Sequence, residues 1–418
     1  MSESTTSLMF HKTVLDNGLT IIGEHNPQAQ TFAAGYFVKT GARDETDEVA
    51  GVSHFLEHMM FKGTDKRSAD DINREFDELG ANYNAYTSDE RTVYYGSVLP
   101  ERRAGLIDLL SDMMRPALRE DDFAVEKNVI LEEIAMYEDR PNFKVFEEGN
   151  RRFYQQHPLG NSVLGSPDSI RNLTRDQMLR YFESRYAPDN LVLSVAGNYD
   201  WDTLVAQIAA LTGSWQPQDT ARRYPDADPA SGHVRLENDK LKRAHVALYA
   251  PGFSVQDDNR YAASILASCL GDSSGSRLYW ALVDKGLVDS AMISHDSADH
   301  AGNFFGYLSA APEALDDVME ILEQTLQGVQ DEGVSAEEWL RAQRKLATSL
   351  TLRGETPFGR LMSLGSSYQY LQEYHSVQHV IDRLMKAAPS DLDSFLATRP
   401  FDRLFSVTLT PPVTPSAS

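Results

Sequence analysis

Two β-rich stretches that lie far apart in the chain resemble each other, and this echo constrains the fold more than any other feature. Leu191 to Ala196 reads LVLSVA and Leu404 to Leu409 reads LFSVTL, an offset of about 210 positions in a chain of 418 residues. In the first half, strands are followed by several helices and by the first of these stretches, which indicates an α+β unit. We therefore expect an α+β protein made of two homologous α/β sandwich-like domains, each a sheet covered by helices, related by internal duplication.

The length of the chain also favours more than one domain. A chain of 418 residues is longer than one hydrophobic core usually serves. Residues 216–232 are polar, contain proline and lack periodicity, as expected of a linker between domains. We predict an N-terminal domain at residues 1–215, a homologous C-terminal domain at 233–411, and a flexible tail at 412–418.

The charge of the chain argues against two classes of partner. There are 39 Lys and Arg residues against 62 Asp and Glu residues, which gives a formal net charge of −23. A surface this acidic repels phosphate backbones and anionic lipids, so we expect neither nucleic-acid binding nor binding to a membrane surface. No stretch of the sequence is long and apolar enough to span a bilayer, so we expect no membrane span.

The cysteine content limits the chemistry that a metal site can use. Cys269 is the only cysteine, so an intramolecular disulfide is impossible and a cage of thiolate ligands is excluded. Any metal site must therefore use His and carboxylate ligands. The N-terminal residues lack the pattern of a signal peptide, which predicts a cytoplasmic location; a periplasmic location would follow if the chain were a processed form.

The motif HFLEH at positions 54–58 carries the strongest chemical signal. On a helix, residues four apart lie about 40° apart around the axis, so His54 and His58 project from one face and can bind one metal ion. Glu57 lies on the neighbouring edge, where it can act on a water molecule beside the ion without being a ligand. Two imidazoles and a carboxylate suit Zn²⁺, which keeps a fourth position open in catalytic sites. The alternative is the polar stripe of an amphipathic helix whose apolar residues pack inward.

The site needs a third ligand, which should be an acid on another element. The helix predicted at Glu120–Glu138 carries several glutamates. Glu126 and Glu133 are seven residues apart and share a face of this helix to within about 20°, so one can bind the metal while the other supports a ligand by a hydrogen bond. The residue chemistry alone does not choose between Glu132 and Glu133 as the ligand.

Three stretches resemble the pitrilysin/insulinase family of zinc peptidases: GVSHFLEHMMFKGT at positions 51–64, NAYTSDERTVYY at 84–95 and EKNVILEEI at 126–134. The motif places Glu beside the second His, which is the inverzincin order. HPLGNSVLGSPDSI at 157–170 and RYAPDNLVLSVAG at 185–197 are similar to the same family, in particular to its short subfamily that includes the mitochondrial processing peptidase. In the second half, the resemblance is one of layout and length.

The resemblance implies roles for individual residues. It makes His54 and His58 ligands of Zn²⁺, Glu133 the third ligand and Glu57 the general base, with Glu126 as the supporting acid. The implied activity is that of a zinc metalloendopeptidase that hydrolyses extended or unfolded peptides inside a closed chamber.

The resemblance also implies where the substrate binds. Asn84 and Ala85 match the edge strand that, in such enzymes, pairs with an extended peptide. Backbone hydrogen bonds hold the peptide in this mode of binding, while side-chain pockets select among sequences.

The second half departs from the pattern of the family. Active relatives carry an Arg and a Tyr there that help to hold the substrate near the zinc ion, whereas Lys285 and Met292 stand at the equivalent positions of this chain. Lys lacks the planar fork of Arg, and Met cannot donate a hydrogen bond to a developing oxyanion. One explanation is that the alignment is shifted or that the Arg and Tyr are dispensable in this chain. The other is that a homologous second subunit supplies both residues.

We favour the second subunit, which makes this chain the zinc-bearing subunit of a heterodimer. The alternatives are a self-sufficient homodimeric peptidase and a non-catalytic subunit with a peptide-binding or structural role. A second metal site is a further possibility at HDSADH, positions 295–300. We interpret that stretch as a solvated turn, because the family places no metal there.

Overall fold

The computed structural model describes residues 8–412, so the predicted tail lies outside the described residues except for Pro412. Within this range the chain forms eleven strands: β1 (Met9–Val14), β2 (Thr20–His25), β3 (Phe32–Val38), β4 (Asn82–Thr87), β5 (Thr92–Val98), β6 (Leu191–Gly197), β7 (Gly232–Glu237), β8 (Ala244–Pro251), β9 (Val288–Ala298), β10 (Ala301–Ala310) and β11 (Phe405–Thr410).

Helices account for most of the remaining regular structure. In chain order the α-helices are α1 (Val52–Met59), α2 (Ala69–Leu79), α3 (Arg103–Met113), α4 (Glu120–Glu138), α5 (Pro141–Tyr154), α6 (Pro167–Asn172), α7 (Arg175–Arg185), α8 (Trp201–Thr212), α9 (Asn259–Gly271), α10 (Leu315–Glu332), α11 (Ala336–Gly354), α12 (Pro357–Leu371), α13 (Val377–Lys386) and α14 (Asp393–Ala397). A short π-helical segment covers Tyr279–Val283. Within residues 8–412, none of the helices is long and apolar enough to cross a membrane.

The two sheets share one topology. The first sheet has the order β1-β2-β6-β3-β5-β4, and the second has the order β7-β11-β8-β10-β9. In the first sheet β2 is parallel to β6 and the next three pairs are antiparallel; in the second sheet β7 is parallel to β11 and the next three pairs are antiparallel. Strands β2, β6, β3, β5 and β4 therefore correspond to β7, β11, β8, β10 and β9.

This correspondence confirms the predicted fold of two homologous α+β units. The stretches that echo each other in the sequence are β6 and β11, and they occupy equivalent places beside the single parallel neighbour of each sheet. Both strands are buried along their whole length. A central strand that is covered on both faces needs a continuous apolar sequence, which explains why the echo is visible in these two strands.

The compact units do not follow the order of the chain. Among the described residues, the first unit contains residues 8–134, 161–223 and 351–377, and the second contains residues 135–160, 224–350 and 378–412. Each unit thus includes one helix from the other half of the sequence. Helix α12 packs on β2, β3 and β6 of the first sheet, and α5 packs on β8 and β11 of the second. The division of the chain at residues 216–232 stays a prediction.

Each of these two helices has a glycine at the point where an aromatic ring of the sheet approaches it. A Cβ atom at Gly365 of α12 would lie 2.3 Å from the ring of Phe37, and a Cβ atom at Gly149 of α5 would lie 2.4 Å from the ring of Tyr249. The Tyr249 hydroxyl donates to the carbonyl oxygen of Phe146 at 2.9 Å. The absence of a side chain therefore permits the close packing of both helices on their sheets.

A buried ion pair ties α12 to the first sheet. Arg360 Nε donates to Glu24 Oε2 at 2.5 Å, and Arg360 Nη2 donates to Glu24 Oε1. The side chains are only 5% and 1% exposed, respectively. Because Glu24 lies on β2, this pair fixes the position of α12 along the strand.

Candidate metal centre

His54 and His58 lie on helix α1, most of which is buried. The helix begins after Gly51, which adopts a φ of 90° that favours glycine, and it ends at Met59. Val52, Phe55, Leu56 and Met59 are buried against the core, as the amphipathic pattern predicts. The polar edge of the helix is therefore held in a fixed orientation by the packing of its apolar edge.

The structure brings His54, His58 and Glu133 together. One ligand atom from each lies within 4.8 Å of the other two, and this is the one such cluster found between residues 8 and 412. The Nε2 atoms of His54 and His58 lie 3.6 Å and 3.5 Å, respectively, from Glu133 Oε2. These separations are longer than an ordinary hydrogen bond, so the three atoms converge without satisfying one another.

These three side chains fit a zinc ion. Zn²⁺ takes nitrogen and oxygen ligands at about 2.1 Å, and tetrahedral geometry then separates the ligand atoms by about 3.4 Å. The observed separations of 3.6 Å and 3.5 Å match that value closely. The donor set of two imidazoles and one carboxylate is a common one at catalytic zinc sites.

Glu126 holds His58 rather than facing the cluster. His58 Nδ1 donates to Glu126 Oε1 at 2.9 Å, and Lys62 Nζ lies 2.6 Å from Glu126 Oε2. A carboxylate bonded to one nitrogen of an imidazole fixes the ring and leaves the lone pair of the other nitrogen for a metal. The structure therefore places Glu126 against the far side of the His58 ring, and its supporting role stays a prediction.

Glu57 is oriented by the edge strand of the first sheet. Thr87 Oγ1 donates to Glu57 Oε2 at 2.7 Å, and Thr87 is the last residue of β4. The end of an edge strand and the acid next to the metal cluster are thus in direct contact.

Asn84 and Ala85 lie in the middle of β4, at the edge of the first sheet. Asn84 is exposed, and its side-chain oxygen accepts a hydrogen bond from the backbone N–H of Ala85 at 2.9 Å. Strand β4 pairs on its inner side with β5. Strand β4 is the last strand of this sheet among the described residues, and peptide binding by Asn84 and Ala85 stays a prediction.

Burial and charge set the protonation of the cluster. Burial, together with a smaller effect of the nearby His58, lowers the pKa of His54 to about 3. The imidazole of His54 is therefore neutral near pH 7, as a metal ligand must be. Burial raises the pKa of Glu57, although the hydrogen bond from Thr87 opposes the shift. Burial alone would lower the pKa of His58, but the bond to Glu126 and the neighbouring carboxylates outweigh it, so this pKa is raised.

The geometry distinguishes Glu132 from Glu133 as the candidate third ligand, which the residue chemistry alone did not. Glu133 faces the histidines, whereas its neighbour Glu132 is exposed. Sequence analysis missed Lys62 and Thr87. Lys62 follows His58 by four residues, a helical spacing that could have pointed to it, whereas no local pattern connects Thr87 with Glu57.

The other candidate positions lie in the second unit. Lys285 is exposed in the turn before β9, and Met292 lies on β9 with 42% of its surface exposed. The stretch at 295–300 is not wholly a solvated turn, because His295 is on β9 and accepts a hydrogen bond from the backbone N–H of Phe253 at 2.9 Å. His300 alone lies at the exposed tip of the hairpin, with a φ of 59°.

Comparison with known proteins places the chain in a family. Residues 20–167 match the family described as insulinase (peptidase family M16), and residues 172–346 match the peptidase M16 inactive domain. An uncharacterised zinc protease of Bacillus subtilis, YmxG, is 32% identical over 378 residues, which cover 90% of this chain and 92% of the relative. The zinc in the names of such relatives agrees with the cofactor expected from the sequence.

Solved structures share the fold. A protease from Helicobacter pylori has a TM-score of 0.89 and 21% identity, and the match covers 97% of this chain and all of that one. A chain of complex III2 from Candida albicans has a TM-score of 0.84 and 19% identity over 96% of this chain and 95% of that one. Over nearly its whole length, and with the His and Glu cluster in its first unit, the chain belongs to the insulinase family of peptidases, family M16.

Proposed function

We propose that the chain is a zinc endopeptidase that hydrolyses extended or unfolded peptides, with His54, His58 and Glu133 as the metal ligands. The observation that carries this proposal is the convergence of three unsatisfied donor atoms next to a carboxylate that is not one of them. Zn²⁺ supplies Lewis acidity, which polarises a carbonyl group and makes a water molecule acidic near neutral pH. A purely structural subunit has no need of an acid held beside such a cluster.

Glu57 moves the proton in the proposed reaction. Thr87 orients the carboxylate of Glu57, which takes the proton from the attacking water. Glu57 then returns this proton to the leaving amine, which completes hydrolysis of the peptide bond. The raised pKa of the buried Glu57 carboxyl suits both steps, because it brings proton affinity closer to neutral pH.

The substrate adds a strand to the first sheet in this proposal. An extended peptide pairs with the outer side of β4, where Asn84 and Ala85 lie. Because Thr87 ends the same strand and bonds Glu57, a peptide held in this register lies beside the acid. This mode of binding selects unfolded segments, since a folded protein presents few free strands.

We further propose that catalysis takes place in a closed chamber shared with a homologous subunit that supplies an Arg and a Tyr. Lys285 and Met292 support this partner dependence, since neither offers the hydrogen bonds of the residues found in active relatives. The alternative is a homodimer that is sufficient by itself. A location in the cytoplasm stays a prediction from the sequence.

The test is cleavage of a library of unstructured peptides by the full-length chain loaded with Zn²⁺. Glu57→Gln should keep its zinc and lose turnover by a factor of about 10² or more. His58→Ala and Glu133→Gln should lose zinc, whereas Glu132→Gln, one residue away on the exposed side of α4, should keep both zinc and activity. Cleavage that persists in Glu57→Gln would remove that residue from its role, and full zinc content in His58→Ala would reject the ligand assignment.

The same experiment separates the alternatives. Bound zinc with turnover that depends on Glu57 means that the chain is sufficient alone. Bound zinc without turnover means either that the chain needs a partner subunit or that it binds peptides without cleaving them. A homologous chain carrying Arg and Tyr is then added: turnover that appears supports the partner, and turnover that stays absent supports the peptide-binding subunit. A chain that binds neither zinc nor peptide has a structural role, which is the second candidate because the fold is shared with a chain of complex III2.

A further inference from the structure

A buried glutamate holds the start of the helix that carries both histidines. Glu45 Oε2 accepts a hydrogen bond from the backbone N–H of Gly51 at 2.6 Å, and Oε1 accepts one from the backbone N–H of Ser53 at 2.7 Å. Glu45 is 8% exposed. Both oxygens of one carboxylate are therefore used on the first turn of α1, immediately before His54.

The first turn of α1 needs this partner because its own cap residue cannot serve. The first N–H groups of a helix have no acceptor within the helix, and a side chain at the cap position usually supplies one. Gly51 occupies that position and has no side chain. Glu45, six residues earlier in the chain, replaces the missing cap by accepting these hydrogen bonds.

A glycine is required at this cap by the segment packed against it. A Cβ atom at Gly51 would lie 2.6 Å from the carbonyl oxygen of Leu164, and a Cβ atom at Gly165 would lie 2.5 Å from the carbonyl oxygen of Ala50. Both glycines also have positive φ values. The backbone at Leu164 and Gly165 thus packs against the start of α1, and a carboxyl group from elsewhere has to accept from the N–H groups of this turn.

A second contact fixes the rotation of the same turn. The Ser53 hydroxyl lies 2.8 Å from the Tyr181 hydroxyl, which lies 2.7 Å from Thr40 Oγ1, and all three side chains are buried. Ser53 is therefore held through its backbone by Glu45 and through its side chain by Tyr181. The next residue in the chain is His54.

We propose that Glu45 is a positioning residue for the metal centre, which fixes the first turn of α1 and thereby the direction in which His54 presents Nε2 to Glu133. Glu45 does not touch the metal ligands and acts through the backbone of Ser53. This inference rests on the proposed metal site. It predicts that a change at Glu45 alters the affinity for zinc in protein that is otherwise folded.

The experiment measures the affinity of the full-length apoprotein for Zn²⁺ by competition with a chromophoric chelator. Glu45→Gln keeps the shape of the side chain, but its NH₂ group faces a backbone N–H that needs an acceptor. We expect this variant to bind Zn²⁺ about 10- to 100-fold more weakly, the range found when the support of a metal ligand is removed. Glu45→Asp keeps a carboxyl group with two acceptor oxygens on a shorter side chain, and it should recover part of the affinity.

Glu24→Gln is the matched control. It also changes a buried glutamate of the first unit, but Glu24 bonds Arg360 on α12 rather than the start of α1. The control should lower the stability of the fold and leave the zinc affinity of the folded protein unchanged. The absorption spectrum of the Co²⁺-substituted protein gives a second measure, because it reports the arrangement of the ligands and not the stability of the fold.

The outcomes separate this inference from the function on which it rests. Full zinc content in His58→Ala would mean that the metal site is wrong. Loss of zinc in His58→Ala together with wild-type affinity and spectrum in folded Glu45→Gln would overturn the role of Glu45 alone. If Glu45→Gln does not fold, Glu45→Asp decides: an affinity below that of Glu24→Gln supports positioning, and equal affinities refute it.

Discussion

The buried ion pair between Glu24 and Arg360 allows a quantitative prediction about the first unit. Arg360→Met keeps the length and apolar part of the side chain but leaves the carboxylate of Glu24 buried without its partner. The two side chains are 1% and 5% exposed, and two hydrogen bonds join them. Removal of one partner of such a pair costs about 3–5 kcal/mol, because the remaining charge stays out of water. We expect Arg360→Met to lower the free energy of unfolding of the first unit by that amount.

The double variant Glu24→Leu with Arg360→Met should lose much less. Among the described residues, Arg360 Nη1 has no hydrogen-bond partner, so the pair does not satisfy all of its own polar atoms. Replacement of both charges by apolar groups removes this deficit and is often neutral, within about 1 kcal/mol. The expected coupling energy is therefore at least about 2 kcal/mol in favour of the pair when each single change is compared with the double change.

Native-state hydrogen exchange is the suitable assay, because it reports the opening of each sheet by itself. Mass spectrometry of peptides from β2 and β6 reports the opening of the first sheet, and peptides from β11 serve as an internal reference in the other unit. Arg74→Met is the control variant, since it breaks an exposed pair with Asp71 and should leave exchange unchanged. Equal exchange in Arg360→Met and in the wild type would refute the reasoning, as would additive losses in the double variant.

Three further predictions concern single features of the molecule. Burial lowers the pKa of His295 to about 4, so the unfolded chain binds a proton between about pH 6.5 and 4 that the folded chain does not, and stability should fall by up to about 3 kcal/mol as the pH falls through this window. Urea titrations of His295→Gln should show a shallower acid slope, and an unchanged slope would contradict the assignment. Burial raises the pKa of the Cys269 thiol to about 12, so iodoacetamide at pH 8 should label it only after unfolding, and rapid labelling of folded protein would refute this. Removal of Zn²⁺ by a chelator should lower the midpoint of thermal unfolding in the wild type and not in His58→Ala; equal shifts in both would reject binding at this cluster.

The sequence predicted those features of the fold that local patterns encode. Ser68 and Gly80 flank α2, and both residue types are typical of helix ends; the Ser68 hydroxyl accepts from the backbone N–H of Asp71 at 3.1 Å. The echo between β6 and β11 revealed the duplication, since both strands are wholly buried. The HFLEH motif identified the two histidines and Glu57, because the spacing of ligands on a helix is set by the helix alone.

The sequence did not reveal the two helices that the halves of the chain exchange. Helices α5 and α12 contain Gly149 and Gly365, and glycine inside a helix is unfavourable by about 1 kcal/mol relative to alanine. Tertiary packing outweighs this preference, because each glycine admits an aromatic ring of the sheet. The glycine that lowers the helix propensity of each segment is thus also the residue that lets the folded helix pack on its sheet. No single-sequence rule connects such a glycine with a ring more than 90 residues away.

A fragment of residues 1–215 therefore tests the predicted domain boundaries directly. It contains β1 to β6 but lacks α12, so Glu24 loses Arg360 and the cluster formed by Ile22, Ala33 and Phe37 loses Leu361 and Leu364. The fragment should not fold as a stable unit, whereas addition of a peptide that covers residues 351–377 should restore protection of the sheet against hydrogen exchange. Full protection in the fragment alone would support the boundaries predicted from the sequence.

The proposed dependence on a partner subunit rests on the absence of a tyrosine at position 292 of β9. A residue on the neighbouring strand can place a hydroxyl group on the same face of the sheet. Met292 on β9 lies directly opposite Tyr307 on β10, and opposite residues of an antiparallel pair project from the same face. The Tyr307 hydroxyl lies 2.8 Å from His245 Nδ1, which gives it a fixed orientation. Although position 292 is not a tyrosine, Tyr307 therefore still places a hydroxyl group on this face of the strand pair. If the chain alone turns over peptides, the variant Tyr307→Phe separates two explanations. A loss of kcat with retained zinc means that the Tyr307 hydroxyl takes the role of the tyrosine expected at position 292. An unchanged kcat means that the reaction does not need this hydroxyl.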